Sequence, residues 1–261
     1  MNEAKFNIAV LIDGDNAQAK LIKEILEEVS KYGKATIRRI YGDWTTPHMN
    51  KWKDIINKFS INPIQKFSYT AGKNSTDSSL IIDAMDILHS GSADGFCIVS
   101  SDSDYTGLAK RIREEGLFVM GIGQRKTPVA FVKSCEIFTF SENLIPEIVN
   151  VKAKTEFRKE KVKQKKGLIE SLPEIPKPEI VKEELPKLDM SIIDKAFEIS
   201  TNEEEDTYIS KLGLSLRKID PSFDSRTYGF RTLTQLFESL DKYIVVKNII
   251  NGVNHPLVKL K

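Results

Sequence analysis

CIVSSDSDYTGLAKRIREEG, residues 97–116, sets a strand, an acidic turn and a helix end to end. The apolar run FCIVS is continuous, as in a strand covered on both faces. It stops at Ser100 and Ser101. Asp102 and Asp104 follow one residue apart, and YTGLAKRIREEG has a helical pattern closed by Gly116. A strand running straight into a helix is half of a βα unit. Two like charges at its junction need a separate reason.

The same alternation continues on both sides. Upstream, FNIAVLI (6–12) reads as a buried strand, and AQAKLIKEILEEVSKY (17–32) as a helix with Leu21, Ile25, Leu26 and Val29 on one face. KATIRRIYGD then predicts a strand, NKWKDIINKF a helix, INPIQKFSY a third strand and SSLIIDAMDILHS a helix. Downstream, LFVMGIG predicts a strand, TPVAFVKSC a short helix and EIFTF a last strand. Strands alternating with helices require crossover connections, so residues 1–145 are expected to form an α/β domain on a mostly parallel sheet.

Residues 146–188 change character. VKAKTEFRKEKVKQKKG is dense in lysine, and LPEIPKPEIVKEELPKL is rich in Pro, Glu and Lys, with few large apolar groups for a core. This segment reads as a linker, and its basic half as an arm for polyanions. Residues 189–261 form a smaller unit. Helices are expected at 190–200, 205–219 and 229–240, and a hairpin around Asn251-Gly252. Three helices followed by a hairpin is the layout of a winged helix.

The chain has 261 residues, 40% of them apolar, and a formal net charge of +2. That supplies a real core and no global polyelectrolyte. Its two cysteines, Cys97 and Cys135, sit in apolar runs without a CxxC, and the three histidines lie far apart. Zinc and redox chemistry therefore lack a ligand pattern. MNEAKFNIAVLID is too polar for a signal peptide, and no apolar run approaches the length of a membrane span. A cytoplasmic protein without a membrane partner is expected.

Ligands of a parallel sheet bind beyond the carboxyl ends of its strands. Acidic residues collect there: Asp13 in DGDN, Asp43 after RRIYG, Asp102 and Asp104 after FCIVS, and Asp77 ahead of the helix at 78. Any one of them is explained as a helix N-cap. Capping does not require acids in pairs, and close carboxylates repel. A hard divalent cation, Mg²⁺ or Mn²⁺, relieves that repulsion and takes oxygen ligands. Such an ion can acidify water and neutralise charge on a phosphodiester. Neither a Walker loop nor GxGxxG follows the first strand. Lys73, Arg125 and Lys126 are expected at the same edge, where they suit a polyanionic substrate.

IDGDN, GKNSTDSSLIIDAMDIL, CIVSSDSDYTGLAKRIREEG and GIGQRKTPVAF, in this order, resemble the NYN domain of the PIN-like ribonuclease superfamily. The resemblance covers roughly the first 145 residues. It implies a Rossmann-like, PIN-like sandwich with a metal-dependent nuclease site. Asp13, Asp77, Asp102 and Asp104 match its acidic metal ligands, and Asn16 the polar residue that positions substrate or water. Asp15 competes with Asp13 for the first place, and Asp83 is a weaker candidate. DPSFDSRTYGFRTLTQLFESLDKYIVV resembles the OST-HTH, or LOTUS, domain, a winged helix associated with RNA and, in some members, with protein partners. Arg217, Lys218, Arg226 and Arg231 are its candidate RNA contacts.

Three readings follow. The first is a metal-dependent endoribonuclease with one or two ions and a C-terminal RNA-binding domain. The second is a non-catalytic RNA-binding adaptor, which retention of all four acids disfavours. The third is a phosphatase using an Asp nucleophile in DGD.

Overall fold

In the computed structural model, residues 6–67, 75–145, 186–201, 206–250 and 252–261 are described. β1 (Asn7–Asp13) lies inside a six-stranded parallel sheet. It is followed by α1 (Ile22–Val29), β2 (Lys34–Gly42), α2 (Lys53–Phe59), β3 (Asn62–Gln65) and α3 (Ser75–Ser90). Next come β4 (Gly95–Val99), α4 (Thr106–Glu114), β5 (Phe118–Gly123), α5 (Val129–Ser134) and β6 (Ile137–Phe140). The spatial order is β3-β2-β1-β4-β5-β6. The order reverses between β1 and β4, the place where open α/β sheets take their ligands, beyond the carboxyl ends of the strands.

β1 shows why the sheet is buried on both sides. Ala9 and Leu11 join the core that includes Leu80, Tyr105 and Phe131. Ile8, Val10 and Ile12 join the opposite core with Ile25, Val29 and Trp52. The strand's period of two sends alternate side chains to each layer. Each of the fully buried Ile, Val and Leu side chains among these contributes about 2 kcal/mol relative to exposure. Gly14 follows the strand in close contact with its neighbours. A Cβ there would stand 2.7 Å from the Tyr41 carbonyl oxygen and 2.6 Å from Met49 Cε.

The expected third strand is shorter than INPIQKFSY, because pairing to β2 ends at Gln65. The first turn of the predicted second helix is a 3-10 turn, Pro47–Trp52, with Pro47 in its first turn. The linker expected over 146–188 falls outside the described residues except for its last three.

The C-terminal unit contains α6 (Met190–Ser200), β7 (Asp206–Tyr208), α7 (Ile209–Ile219), α8 (Leu233–Glu238), β8 (Tyr243–Val246), β9 (Ile249–Ile250), β10 (Val253–Asn254) and β11 (Leu257–Leu260). Two of its helices are shorter than the periodicity predicts. Residues 206–208 pair with β11 instead, and Asp206 holds Lys259 at 3.2 Å. The helix expected from 229 starts at Leu233. Gly229 takes a left-handed φ of 83°, and the Thr232 hydroxyl caps α8 at the Gln235 N–H. β9 and β10 pair as an antiparallel hairpin with Gly252 at φ 80° between them, and Asn251 lies outside the described residues. β7, β11 and β8 make a separate antiparallel sheet.

This unit docks along edge strand β6 and the end of α1. The Phe138 N–H donates to the Pro221 carbonyl at 2.8 Å, satisfying a donor that an edge strand would otherwise expose. Lys133 pairs with Asp220 at 2.8 Å, and Asn143 Nδ2 donates to Thr227 Oγ1 at 2.8 Å. The Arg226 guanidinium reaches both oxygens of Glu28, at 3.1 and 3.0 Å, and also holds Asp224. Among the described residues no helix is long and apolar enough to cross a membrane.

Candidate metal centre

The reversal of strand order places the ends of β1 and β4 side by side. Asp13 is the last residue of β1 and is 0% exposed. Its Oδ1 accepts the N–H groups of Asp15 and Asn16, at 3.1 and 3.3 Å. Its Oδ2 accepts from Asn16 Nδ2 at 2.7 Å and from Ser100 Oγ at 2.8 Å. Burial pushes its pKa up, and these hydrogen bonds oppose the rise.

Ser100 connects this carboxylate to the acidic turn. Its hydroxyl donates to Asp13 and accepts the Asp102 N–H at 3.1 Å. Asp102 Oδ1 then accepts the Asp104 N–H at 3.0 Å, so Asp102 caps the 3-10 turn Ser103–Tyr105. The next loop is tied in as well. The Gln124 N–H donates to Ser101 Oγ at 2.8 Å, and a Cβ on Gly123 would stand 2.4 Å from the Ser100 carbonyl oxygen. SSDSD is thus held by β1 on one side and by the turn after β5 on the other.

Asp77 enters from the first turn of α3. Its Oδ1 accepts from the Tyr105 hydroxyl at 2.7 Å. Tyr105 is fully buried beside Phe131, and burial pushes its phenol up, so it stays a donor. Sequence reasoning missed this tyrosine. The available signal was its place directly after SSDSD, at the head of α4.

Carboxylate oxygens of Asp77, Asp102 and Asp104 lie within 4.8 Å of one another. Burial falls from Asp77 through Asp102 to the exposed Asp104, so the cluster opens to solvent on one side. Asp77 is raised first by burial, then by the charges of Asp13, Asp102 and Asp104. Three oxygen donors, two from the SSDSD turn and one from the first turn of α3, carrying mutual repulsion, are the donor set a hard divalent ion takes. Asp13 stands behind this trio with its oxygens already accepting four hydrogen bonds.

The other expected residues separate into groups. Asn16 is at the site, bonded to Asp13. Asp15 is exposed on the same turn. Asp83 is not part of the cluster; Arg39 and Tyr41, both on β2, bind its two oxygens. Asp43 closes a turn by accepting from Thr45 and Gln65. Arg125 and Lys126 lie in the turn after β5, where the Arg125 N–H donates to Glu142 and Lys126 is exposed. Lys73 lies outside the described residues. In the C-terminal unit, Lys218 and Arg231 are exposed, and Arg217 lies over the Tyr32 ring at 5.8 Å. Arg226 is instead engaged by Glu28 and Asp224 at the contact between the units.

Residues 7–142, just over half of the chain, match the family model of the NYN domain. The chain belongs to the NYN domain family. Residues 177–254 match the OST-HTH/LOTUS domain. The six-stranded parallel sheet is thus a PIN-like α/β domain, followed by an OST-HTH unit. Among solved structures, a protein of unknown function, VPA0982 from Vibrio parahaemolyticus, is similar at 18% identity and TM-score 0.45, over 54% of this chain and 96% of that one. An uncharacterised protein from gene locus NE0665 of Nitrosomonas europaea is similar at 22% identity and TM-score 0.28, over 36% and 92%. Acinetobacter baumannii MurG is similar at 8% identity and TM-score 0.35, over 52% and 40%. At these scores the likenesses bear no weight for function. No curated protein matches the chain.

Proposed function

We propose that this NYN protein is a divalent-metal-dependent endoribonuclease whose OST-HTH domain binds the RNA. The observation that carries the reading is the convergence of Asp77, Asp102 and Asp104 within 4.8 Å at the reversal of strand order. Family membership supports it through the PIN-like nuclease fold, and the OST-HTH match supports an RNA substrate.

In this reading Asp77, Asp102 and Asp104 hold Mg²⁺ or Mn²⁺. When bound, such an ion activates water and offsets charge building on the phosphate. Tyr105 fixes the Asp77 carboxylate by its hydrogen bond. Asp13 acts through Ser100, which orients the backbone of the acidic turn. Asn16 keeps Asp13 bonded and offers a polar group at the rim. Arg125 and Lys126 meet phosphates of the strand without reading its bases. The basic segment before the OST-HTH domain adds a salt-sensitive, sequence-independent attraction.

A phosphatase using an Asp nucleophile in DGD is disfavoured at Asp13 by 0% exposure and four hydrogen bonds, while the exposed Asp15 lies outside the cluster of Asp77, Asp102 and Asp104. The test compares substrates. Single-stranded RNA and para-nitrophenyl phosphate are each incubated with protein and Mn²⁺. Internal cuts in RNA without phosphate release support the nuclease. Phosphate release without cuts would establish the phosphatase, and RNA retarded on a gel but intact would establish the adaptor. The exposed apolar residues Ile249, Ile250 and Val253 of the wing hairpin favour a protein contact as a second role of the OST-HTH domain.

A further inference from the structure

Two cavities lie along the contact between the NYN and OST-HTH domains, of about 600 and 570 Å³. They share Leu214 and Arg217, so they form one groove that passes Arg217. Its NYN wall includes Tyr32, stacked on Phe118 with centroids 5.8 Å apart. Its OST-HTH wall offers Arg217, Lys218 and Arg231.

The charge balance inside the groove is one-sided. Glu28 and Asp224 both bind Arg226, and Asp220 binds Lys133. Burial pushes Glu136 up, and the charge of Arg113 beside it opposes the rise. Arg217 faces an aromatic ring, while Lys218 and Arg231 are exposed. Leu214 is 62% exposed on the same wall. Cations beside aromatic and apolar surface form the combination that holds single-stranded nucleic acid, with phosphates on the cations and base faces on the rings.

We infer that this interdomain groove is a second binding site, for a single-stranded RNA segment away from the cut. This rests on the proposed RNA substrate. The groove lies at the starts of β5 and β6, where Phe118 and Ile137 line it, whereas the acidic cluster lies at the opposite strand ends. A six-residue strand separates the two ends by roughly 20 Å. The groove therefore anchors a flank of the strand and does not take part in the chemistry. Because both domains form its walls, it exists only while they stay docked through contacts such as Arg226 with Glu28 and Lys133 with Asp220.

The test uses the full chain and fluorescein-labelled single-stranded RNA, in EDTA so that nothing is cut. The double variant Lys218→Glu, Arg231→Glu is compared with Lys110→Glu, Lys195→Glu, which makes the same charge change at exposed positions outside the groove. The groove variant should bind at least about tenfold more weakly at ~0.1 M salt, and its log–log salt slope should fall by about 1.4. The control should lose much less. In the wild type, RNA carrying 4-thiouridine should crosslink on irradiation to a peptide containing Tyr32. Equal losses in both variants, or crosslinks confined to peptides away from the groove, would overturn the inference. Binding without metal reports on the groove even if the wild type cuts nothing, so the two proposals fail separately.

Discussion

Replacing Asp77 by Asn should make the metal-free protein more stable and the metal-bound protein inactive. The oxygens of Asp77, Asp102 and Asp104 share a sphere of 4.8 Å. Two unit charges at that separation repel by about 3.5 kcal/mol at an effective dielectric of 20, and solvent around the exposed Asp104 reduces this. Burial adds a desolvation cost for the Asp77 charge, the largest cause of its raised pKa. Asn keeps an oxygen to accept from Tyr105 and removes the charge. The net gain expected is about 1–2 kcal/mol, or about 3–6 °C in the melting temperature of a domain this size. The assay is thermal unfolding in EDTA and in a Mn²⁺ titration. Wild type should climb with Mn²⁺, by about 2.7 kcal/mol at a hundredfold excess over Kd. Asp77→Asn should start higher and climb little. A variant that melts lower in EDTA, or gains as much from Mn²⁺ as wild type, would refute the reasoning.

The other predictions concern residues around the cluster. Asp83→Asn removes the partner of Arg39 and Tyr41 and should cost about 1–3 kcal/mol in denaturant unfolding, with the Mn²⁺ response unchanged. Gly123→Ala drives a methyl against the Ser100 carbonyl oxygen and should weaken Mn²⁺ affinity in calorimetry at least about tenfold, because Ser100 orients both Asp13 and Asp102. Arg226→Ala leaves the buried Glu28 with Lys31 alone and should cost about 3 kcal/mol, seen as faster hydrogen exchange at Phe138 and in α1. Burial pushes Asp220 up, but its bonds with Lys133 across the domain contact and with Ser222 more than offset this and hold it below the usual carboxylate range. A depressed carboxyl stabilises the fold above its unfolded pKa of about 3.9 and loses that contribution as pH falls through the folded value. Domain docking should therefore be constant from pH 5 to 8 and loosen only below about pH 4, as followed by small-angle scattering.

The parallel sheet was legible because its strands are continuous apolar runs, with β1 and β4 the clearest, and because each leads into a helix of different period. The OST-HTH domain was less so. Residues 206–208 carry no alternation of their own, and only pairing with β11 makes them a strand. The start of α8 was set by Gly229 and the Thr232 cap, which outweigh the apolar Phe230. At the candidate site, strand ends placed Asp13, Asp77, Asp102 and Asp104 at one edge. They could not show that Asp13 spends its oxygens on hydrogen bonds while the other three face one another. Tyr105 is an ordinary aromatic in the sequence and acquires its contact with Asp77 only when α3 and α4 pack on the same face of the sheet. Arg226 looked like an RNA contact because Glu28, its partner, is 198 residues away.

The central claim is most directly tested by cleavage of end-labelled single-stranded RNA. Wild type and an Asp102→Asn, Asp104→Asn double variant are incubated with Mn²⁺, Mg²⁺ or EDTA. The account predicts internal cuts by wild type with a divalent ion, none in EDTA and none by the variant under any condition. Cuts that persist in EDTA, or that the variant makes at the wild-type rate, would contradict it.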